Sequence, residues 1–319
     1  MVRIFITGAV GFIGFNLAKY LLENRNNKVY GIDCFDDYYS VKLKKKRLNI
    51  LKKKKNFYFR KIDICDYKKF KKYVGLKKFD ISINLAAQAG VRYSLVNPQK
   101  YIKVNILGFI NFLKVLKQNT KKLYYASSSS VYGESNNFPL NEKEKLHPKN
   151  VYGITKKLNE IIAEDYFKKH NIKIIGLRFF TVYGEWGRPD MFFLKLFKSL
   201  KTKEAMFVNN FGNHDRDFTY INDVVMILEK LFTKKIHKHE VYNICSNNPI
   251  SIDDIIQDFK KNWNFKVKYR PMVKADVLKT HGSNKKIIKH LNFKKFTHID
   301  EGIKNSLNWY LKNKIYKIS

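Results

Sequence analysis

The spacing of apolar residues over the first part of the chain predicts short buried strands that alternate with amphipathic helices. The first strand covers residues 2–7, and apolar residues at helical spacing follow it from Phe15 to Leu22. Further strands are predicted at residues 28–32, 57–61, 81–85, 123–126 and 172–178, and further helices at residues 42–55, 67–74, 98–118 and 151–169. Repeated units of this kind favour an α/β fold of the Rossmann type, with a doubly wound parallel sheet and right-handed crossovers.

A change of pattern follows Thr181, where Gly184, Gly187 and Pro189 interrupt the alternation. Helices are predicted at residues 191–200, 221–232, 252–262 and 299–310, and a short strand at residues 241–244. The sequence therefore predicts a larger domain over residues 1–180 and a smaller C-terminal α/β domain mainly over residues 181–319. Segments around residues 212–250 are candidates to return to the larger domain. We expect the smaller domain to cover the C-terminal edge of the sheet and form a cleft with it.

The composition indicates a globular protein with a very basic surface. Of 319 residues, 45% are apolar, which suffices for one large or two smaller domains, and the net charge is +36. The lysines are spread along the whole chain, and the densest stretch, residues 42–55, interleaves them with apolar residues as an amphipathic helix does. This distribution favours a solvated lysine-rich surface over a nucleic-acid partner. Its positive field would concentrate anionic substrates.

The cysteines and the lengths of the apolar runs bear on the cellular compartment. Cys34, Cys65 and Cys245 are scattered without C-x-x-C or metal-ligand spacing, which predicts free thiols and no metal site. No apolar run approaches the ~18 residues of a membrane span, and a strand already begins at Val2, so neither a membrane partner nor a signal peptide is expected. We therefore expect a soluble cytoplasmic protein.

A glycine motif follows the first strand directly. Gly8, Gly11 and Gly14 permit a tight turn and a close approach of the backbone to a pyrophosphate, which then rests on the N-terminus of the next helix. The second strand ends at Asp33, about 20 residues beyond Gly14, where a carboxylate that binds a ribose is expected. Such a carboxylate accepts hydrogen bonds from ribose hydroxyls and repels a 2′-phosphate, so NAD is predicted over NADP. The alternative is an ordinary loop aspartate.

Candidate acid/base chemistry lies at Tyr152 and Lys156. On a helix their i,i+4 spacing places both side chains on one face, where the ammonium favours the phenolate and lowers the pKa of the phenol. The hydroxyl of Ser128 emerges at the carboxyl end of a strand, where ligands bind in open parallel sheets. Chance spacing is the alternative explanation in a chain rich in both residue types. The glycine motif and Asp33 favour catalysis.

Several motifs over nearly the whole chain carry a family resemblance. They are Thr7-Gly8-x-x-Gly11-x-x-Gly14 with Asp33, Leu85-Ala86-Ala87-Gln88, Ser127-Ser128-Ser129-Ser130-Val131-Tyr132-Gly133, Tyr152-x-x-x-Lys156 and Asp215-Arg216-Asp217-Phe218-Thr219-Tyr220-Ile221. Together they resemble the extended short-chain dehydrogenase/reductase family. The resemblance implies an NAD cofactor that contacts Gly8, Gly11, Phe12, Ile13, Gly14, Asp33, Lys42, Asp63, Ile64, Leu85, Ala86, Ala87, Gln88, Tyr152 and Lys156.

Three further strings, at residues 89–94, 178–184 and 187–191, are most similar to those of family members that epimerise UDP-glucuronate at C4. In this mechanism Tyr152 removes the proton of the 4-hydroxyl while C4 gives a hydride to NAD⁺, and Ser128 holds the hydroxyl. Lys156 lowers the pKa of Tyr152 and binds the nicotinamide ribose. The 4-keto sugar then turns over and takes the hydride back on its other face. Alternatives are a 4-epimerase of UDP-glucose or UDP-N-acetylglucosamine, and a non-catalytic protein that senses a dinucleotide.

The resemblance also implies a substrate site. Dehydratases of the family have carboxylates where this chain has Ser129 and Ser130, and neither serine can eliminate water. We expect Ser129, Ser130 and Thr181 to bind the uronate carboxylate and prevent loss of CO₂ from the keto sugar, whereas backbone capping is the alternative role for the serines. Arg216 is the first candidate to bind phosphate, and Arg188 the second. The full set of expected substrate contacts is Arg92, Ser128, Ser129, Ser130, Thr181, Arg188, Arg216 and Asp276.

Two departures from the family pattern lie near these sites. Cys34 stands where Asn is common, and residues 271–276 replace a usual Pro-Gly-Asp string, although Asp276 is retained. Relatives in the family form homodimers in which the helices at residues 98–118 and 151–169 pair across a two-fold axis. The resemblance therefore implies a homodimer that binds a UDP-sugar.

Overall fold

Twelve strands are present in the computed structural model, which describes residues 1–235, 237–293 and 295–318. They are β1 (Val2–Thr7), β2 (Asn27–Asp33), β3 (Phe57–Lys61), β4 (Phe79–Asn84), β5 (Thr120–Ser128), β6 (Lys173–Phe179), β7 (Thr181–Tyr183), β8 (Met206–Asn209), β9 (Asp215–Tyr220), β10 (Glu240–Ile244), β11 (Pro249–Ser251) and β12 (Val267–Arg270). Seven of them form one parallel sheet in the order β10-β6-β5-β4-β1-β2-β3. The strand order reverses beside β1, so the carboxyl ends of β1 and β4 flank the crevice in which such sheets bind ligands.

The same described ranges contain twelve α-helices. They are α1 (Phe12–Leu21), α2 (Val41–Lys52), α3 (Tyr67–Val74), α4 (Tyr93–Val96), α5 (Pro98–Tyr101), α6 (Gly108–Leu116), α7 (Val151–His170), α8 (Phe192–Thr202), α9 (Ile221–Thr233), α10 (Ile252–Asn262), α11 (Lys285–Leu291) and α12 (Ile299–Lys312). A π-helical segment, Ile102–Leu107, joins α5 to α6, so the single helix predicted at residues 98–118 is irregular in its middle. None of the helices in the described ranges is both long and apolar enough to span a bilayer.

Helices cover both faces of the large sheet because its central strands are apolar on both sides. Ile4 and Ile6 of β1 pack with α1, α2 and α9 in one core, whereas Phe5, which points the opposite way, packs with α3, α6 and α7 in another. All three β1 residues are at most 1% exposed. The predicted doubly wound α/β fold is confirmed.

The C-terminal part of the chain adds two small sheets beside the carboxyl edge of the large one. β7 and β9 run parallel and β11 pairs antiparallel with β9, while β8 and β12 form a parallel pair. β10, although late in the sequence, lies in the large sheet next to β6. Sequence patterns missed β7, β8, β9, β11 and β12 because strands of three to six residues leave almost no periodicity.

Candidate functional site

The turn between β1 and α1 is closed by backbone contacts that only glycine permits. Gly8 has φ +68°, and a Cβ on Gly14 would lie 2.2 Å from the carbonyl oxygen of Gly8. α1 begins at Phe12 behind Gly11, which offers no capping side chain. The first backbone N–H groups of the helix are therefore directed at the crevice, as in sites that bind phosphate.

A first cavity of about 360 Å³ opens in front of this turn. Of the residues predicted to bind the cofactor, those that line it are Gly8, Gly11, Phe12, Ile13, Gly14, Asp33, Asp63, Ile64, Leu85, Ala86, Ala87, Gln88, Tyr152 and Lys156. Lys42 does not line it: its side chain is exposed on α2, and Lys44 of the same helix lines the cavity instead. Sequence reasoning missed Lys44 because two residues along a helix change the direction of a side chain by about half a turn.

Asp33 is fixed at the end of β2 by backbone groups. Its Oδ1 accepts a hydrogen bond of 2.8 Å from the N–H of Phe35, and its Oδ2 accepts one of 3.3 Å from the N–H of Val10. Burial raises the pKa of this carboxyl, and the two hydrogen bonds and the nearby Lys44 oppose the shift. Cys34, the neighbouring departure from the family pattern, also lines the cavity.

Tyr152 and Lys156 lie in the first two turns of α7, whose start is set by Asn150. The Asn150 side chain caps the helix by accepting a hydrogen bond of 2.9 Å from the N–H of Gly153. Lys156 is 2% exposed, and its Nζ donates to the carbonyl oxygen of Ala126, 2.8 Å away. Burial lowers the pKa of Lys156 to about 8. The ammonium lies 5.9 Å from the centre of the Tyr152 ring.

The pKa of Tyr152 shifts in the direction opposite to the one expected from the sequence. Burial raises the pKa of the phenol, while the Ser128 hydroxyl and the Arg188 guanidinium act to lower it. Lys156 is not among the groups that lower this pKa, and its ammonium is directed at the Ala126 carbonyl. The residues around Tyr152 therefore keep its phenol protonated at neutral pH, so that it can donate a hydrogen bond.

A buried polar network that sequence reasoning missed joins α7 to the loop after β4. Asn105, in the π-helical segment, accepts a hydrogen bond of 2.8 Å from the N–H of Gln88 and donates to the hydroxyl of Thr155 at 3.0 Å. Its own carbonyl accepts from the Asn159 side chain at 2.7 Å. The network fixes the position of Gln88, which lines the first cavity, relative to the helix that carries Tyr152. An Asn inside an apolar helical pattern was the available signal.

A second cavity of about 400 Å³ adjoins the first, and the Arg188 side chain lines both. Of the residues predicted to bind substrate, those that line the second cavity are Arg92, Ser129, Ser130, Thr181, Arg188, Arg216 and Asp276, while Ser128 lines the first. Tyr38, Lys195, Phe207 and His214 also line the second cavity, and sequence analysis did not single them out.

The hydroxyls of the serine run have different partners. Ser128 caps the short helical turn that follows β5: its Oγ accepts from the N–H of Ser130 at 3.1 Å and donates to the Ser130 hydroxyl at 3.2 Å. Capping, one of the two roles considered for the serines, thus falls to Ser128. Within residues 1–235, 237–293 and 295–318, the hydroxyls of Ser129 and Thr181 have no hydrogen-bond partner. Both line the second cavity.

Two ion pairs lie in the wall of the second cavity. Arg188 pairs with Asp190, with 3.0 Å between Nε and Oδ1, and Asp190 also accepts from the Tyr38 hydroxyl at 3.2 Å. This carboxylate raises the pKa of Arg188 against the effect of burial. Arg92 pairs with Asp276 at 2.7 Å between Nη2 and Oδ2.

Arg216 of β9 and His214, the residue before that strand, also line this wall. Arg216 donates to the carbonyl oxygens of Asp215, Val277 and Leu278 at 2.8 to 2.9 Å. These bonds fix the loop that carries Asp276. Burial, followed by the charge of Arg216, lowers the pKa of His214 to about 4, so its imidazole is neutral at physiological pH.

Comparison with known proteins shows what the whole chain is similar to. Residues 5–306 match the sequence model of the GDP-mannose 4,6 dehydratase family. The chain is 42% identical to protein MJ1055 of Methanocaldococcus jannaschii over 98% of this chain and 97% of that protein. It is 38% identical to a UDP-glucuronate 4-epimerase of Thermodesulfobacterium geofontis over 97% of this chain and 96% of the relative.

The fold of the chain also matches that of a solved structure. The UDP-glucuronic acid 4-epimerase of Bacillus cereus, in complex with UDP-glucuronic acid and NAD, superposes with a TM-score of 0.90. The two sequences are 31% identical, and the alignment covers 98% of this chain and 99% of that one.

Proposed function

This chain belongs to the extended short-chain dehydrogenase/reductase family, and we propose that it interconverts UDP-glucuronate and UDP-galacturonate by NAD-dependent epimerisation at C4. The family predicted from the motifs is confirmed. One observation carries the proposal. Tyr152, Lys156 and Ser128 line one cavity, while uncommitted hydroxyls that suit a carboxylate line the next.

The residues of the first cavity fit NAD. A Cβ on Gly8 would meet the backbone of Ala86, and one on Gly14 would meet the carbonyl oxygen of Gly8, so the tight turn that lets the backbone approach a pyrophosphate needs glycine at both positions. Asp33 stands where adenosine ribose hydroxyls need an acceptor. When bound, NAD accepts and returns the hydride of C4. The NAD complex of the Bacillus cereus enzyme supports this cofactor assignment.

The proton of the substrate hydroxyl passes through Tyr152. A base needs the phenolate, and burial of the ring opposes it, so a cation close to the phenol has to compensate. Lys156 supplies a buried ammonium on the same helical face, and Ser128 adds a hydroxyl beside the phenol. In this arrangement the Lys156 ammonium stabilises the phenolate of Tyr152, Ser128 orients the 4-hydroxyl, and the phenolate takes its proton and becomes a neutral phenol.

The second cavity explains why a uronate would survive the reaction. A 4-keto uronate is a β-keto acid, which loses CO₂ when its carboxylate aligns with the carbonyl. The free hydroxyls of Ser129 and Thr181 can each donate a hydrogen bond to a carboxylate and fix its orientation without contributing an acid or base. The site thus fixes the carboxylate, and the carbonyl carbon stays available to accept the hydride.

Nuclear magnetic resonance tests this proposal with purified protein and NAD. We expect UDP-glucuronate to convert to UDP-galacturonate until the two reach equilibrium, with little xylose-type product from loss of CO₂. UDP-glucose and UDP-N-acetylglucosamine are the matched controls because they lack the carboxylate. Faster conversion of either control would overturn the uronate assignment, and no conversion of any UDP-sugar would favour a protein that only senses the dinucleotide.

We also propose that two copies of the chain pair through the helices expected from the family resemblance. Ile154, Leu158 and Ile161 form an exposed apolar stripe along α7, with exposures of 45%, 39% and 54%, and Ile102 and Leu107 expose more than half of their side chains beside it. Light scattering after size-exclusion chromatography tests the dimer. Ile161→Glu should yield monomer, and a wild-type monomer would contradict the proposal.

A further inference from the structure

The second cavity has more positive charge than its own carboxylates neutralise. The ionised side chains in its wall are Arg92, Arg188, Asp190, Lys195, Arg216 and Asp276. Each carboxylate already has a partner, since Asp190 pairs with Arg188 and Asp276 with Arg92. His214 adds no charge at neutral pH because its pKa is about 4. Lys195 and Arg216 therefore remain without a carboxylate.

These two cations differ in how far their donors are committed. Arg216 uses its guanidinium to bind three backbone carbonyl oxygens. The Lys195 ammonium, by contrast, has neither a hydrogen bond nor an ion pair to any residue that the structure describes. All of its ammonium protons are thus available to a ligand in the cavity.

The position of Lys195 is electrostatically unfavourable in the free protein. It closes the first turn of α8, where the helix dipole opposes a cation. Lys195 lines the cavity but is exposed to solvent, and partial desolvation lowers its pKa. The charges of Arg92, Arg188 and Arg270 lower the pKa further, while Asp190 opposes them. Like charges gathered in a concave wall favour the binding of an anion, which compensates their repulsion.

We propose that Lys195 binds the diphosphate of the nucleotide sugar. This inference rests on the proposed function. The unpaired charges of Lys195 and Arg216 match the two negative charges of a diphosphate diester, and the neutral hydroxyls of Ser129 and Thr181 then serve the uronate carboxylate. The cations thus bind the diphosphate, and the hydroxyls bind the carboxylate.

The neighbours of Lys195 are suited to bind the nucleotide end of the substrate. Phe207 of β8 lines the cavity and carries the Arg270 guanidinium 3.6 Å from its ring centre, which leaves a flat apolar face for a nucleobase. Arg188, on the other side, borders the cofactor cavity where the sugar has to react. The charges of Arg188 and Arg270 both lower the pKa of Lys195. Its ammonium is therefore placed to bind the part of the substrate that lies between base and sugar.

Calorimetric titration of the NAD-loaded protein with UDP and with uridine tests the proposal. Lys195→Met keeps most of the apolar stem and removes the charge, and we expect it to weaken UDP binding roughly 10- to 100-fold while leaving uridine binding unchanged. Lys195→Arg should retain most of the UDP affinity. Lys198→Met is the matched control, since Lys198 lies on the same helix outside the cavity and pairs with Glu204.

Two results would overturn the inference. Unchanged UDP affinity in Lys195→Met, with an increase in KM for UDP-glucuronate alone, would place the ammonium at the carboxylate. Equal behaviour of Lys195→Met and Lys198→Met would make Lys195 an ordinary surface lysine. The titration needs no turnover, so a wild-type protein that binds UDP without epimerising UDP-glucuronate would overturn the proposed function and leave the titration to decide the role of Lys195.

Discussion

The two cavities are built from different materials. The first is shaped by backbone: a glycine turn, the ends of parallel strands and the start of a helix, all anchored in the large sheet. The second is shaped by side chains from loops and short strands that are far apart in sequence, from Tyr38 to Thr280. Backbone geometry suits a cofactor that every catalytic cycle needs, whereas side chains on separate segments can be exchanged singly. We therefore expect mutations in the two cavities to have separable effects.

The largest effect should come from Tyr152, which lines the first cavity next to Arg188. Tyr152→Phe removes the proton acceptor, so kcat should fall about 100- to 10,000-fold. The affinities for NAD and UDP should stay close to those of the wild type because the ring is retained. Steady-state kinetics and calorimetry measure the two quantities separately. Substantial remaining activity would show that another group takes the proton.

Lys156 provides a test of a buried charge in the first cavity. Its pKa is about 8 in the folded protein and about 10.5 in the unfolded chain, so between these values the unfolded chain holds a proton that the folded protein has lost. Stability from this group therefore rises with pH over that window. Relative to Lys156→Met, the wild type should gain about 3 kcal/mol of unfolding free energy from pH 8 to pH 10.5.

Chemical denaturation of both proteins across this range measures the difference between them. Lys157→Met is a suitable control because Lys157 is the next residue on α7 and points its ammonium at the Leu146 carbonyl outside the first cavity. A difference between wild type and Lys156→Met that stays constant with pH would mean that the Lys156 ammonium is not desolvated.

Gly14→Ala tests the backbone character of the cofactor cavity. The added Cβ would meet the carbonyl oxygen of Gly8 at 2.2 Å, and a backbone atom in a turn this tight cannot move away freely. We expect NAD affinity to fall roughly 10- to 100-fold while UDP affinity is kept. Paired titrations with the two ligands check this. Equal losses for both would show that the cavities are not independent.

The smallest of these effects should come from single hydroxyls in the second cavity. Ser129→Ala and Thr181→Ala each remove one donor to the carboxylate, and kcat/KM for UDP-glucuronate should fall about 10-fold. Loss of CO₂ should increase, which trapping of labelled CO₂ measures. Ser135→Ala, on an exposed turn outside both cavities, is the control. A variant that releases no additional CO₂ would remove the hydroxyl from the proposed role.

The same contrast explains what could be predicted from the sequence. Gly8, Gly14 and Asp33 are recognisable because the turn, the helix start and the strand end that they need are local in sequence. Lys195 and His214 were missed because nothing near them in the chain indicates that α8 and the residue before β9 face one cavity. The sequence predicted a lowered pKa for Tyr152, which was wrong, because the surrounding residues raise it. An i,i+4 spacing places Lys156 on the same helix face but does not fix the position of its ammonium, which is directed at the Ala126 carbonyl.

Arg188 forms part of both walls, and this has a consequence for how such a protein can evolve. At the distant end of the second cavity, residues such as Phe207 can be replaced without disturbing the nicotinamide end of the first, so recognition of the nucleotide is free to diversify. The sugar end has no such freedom, because any exchange at Arg188 alters the surroundings of Tyr152 at the same time. New sugar specificities should therefore arise through neutral neighbours such as Ser129, with the shared arginine kept constant.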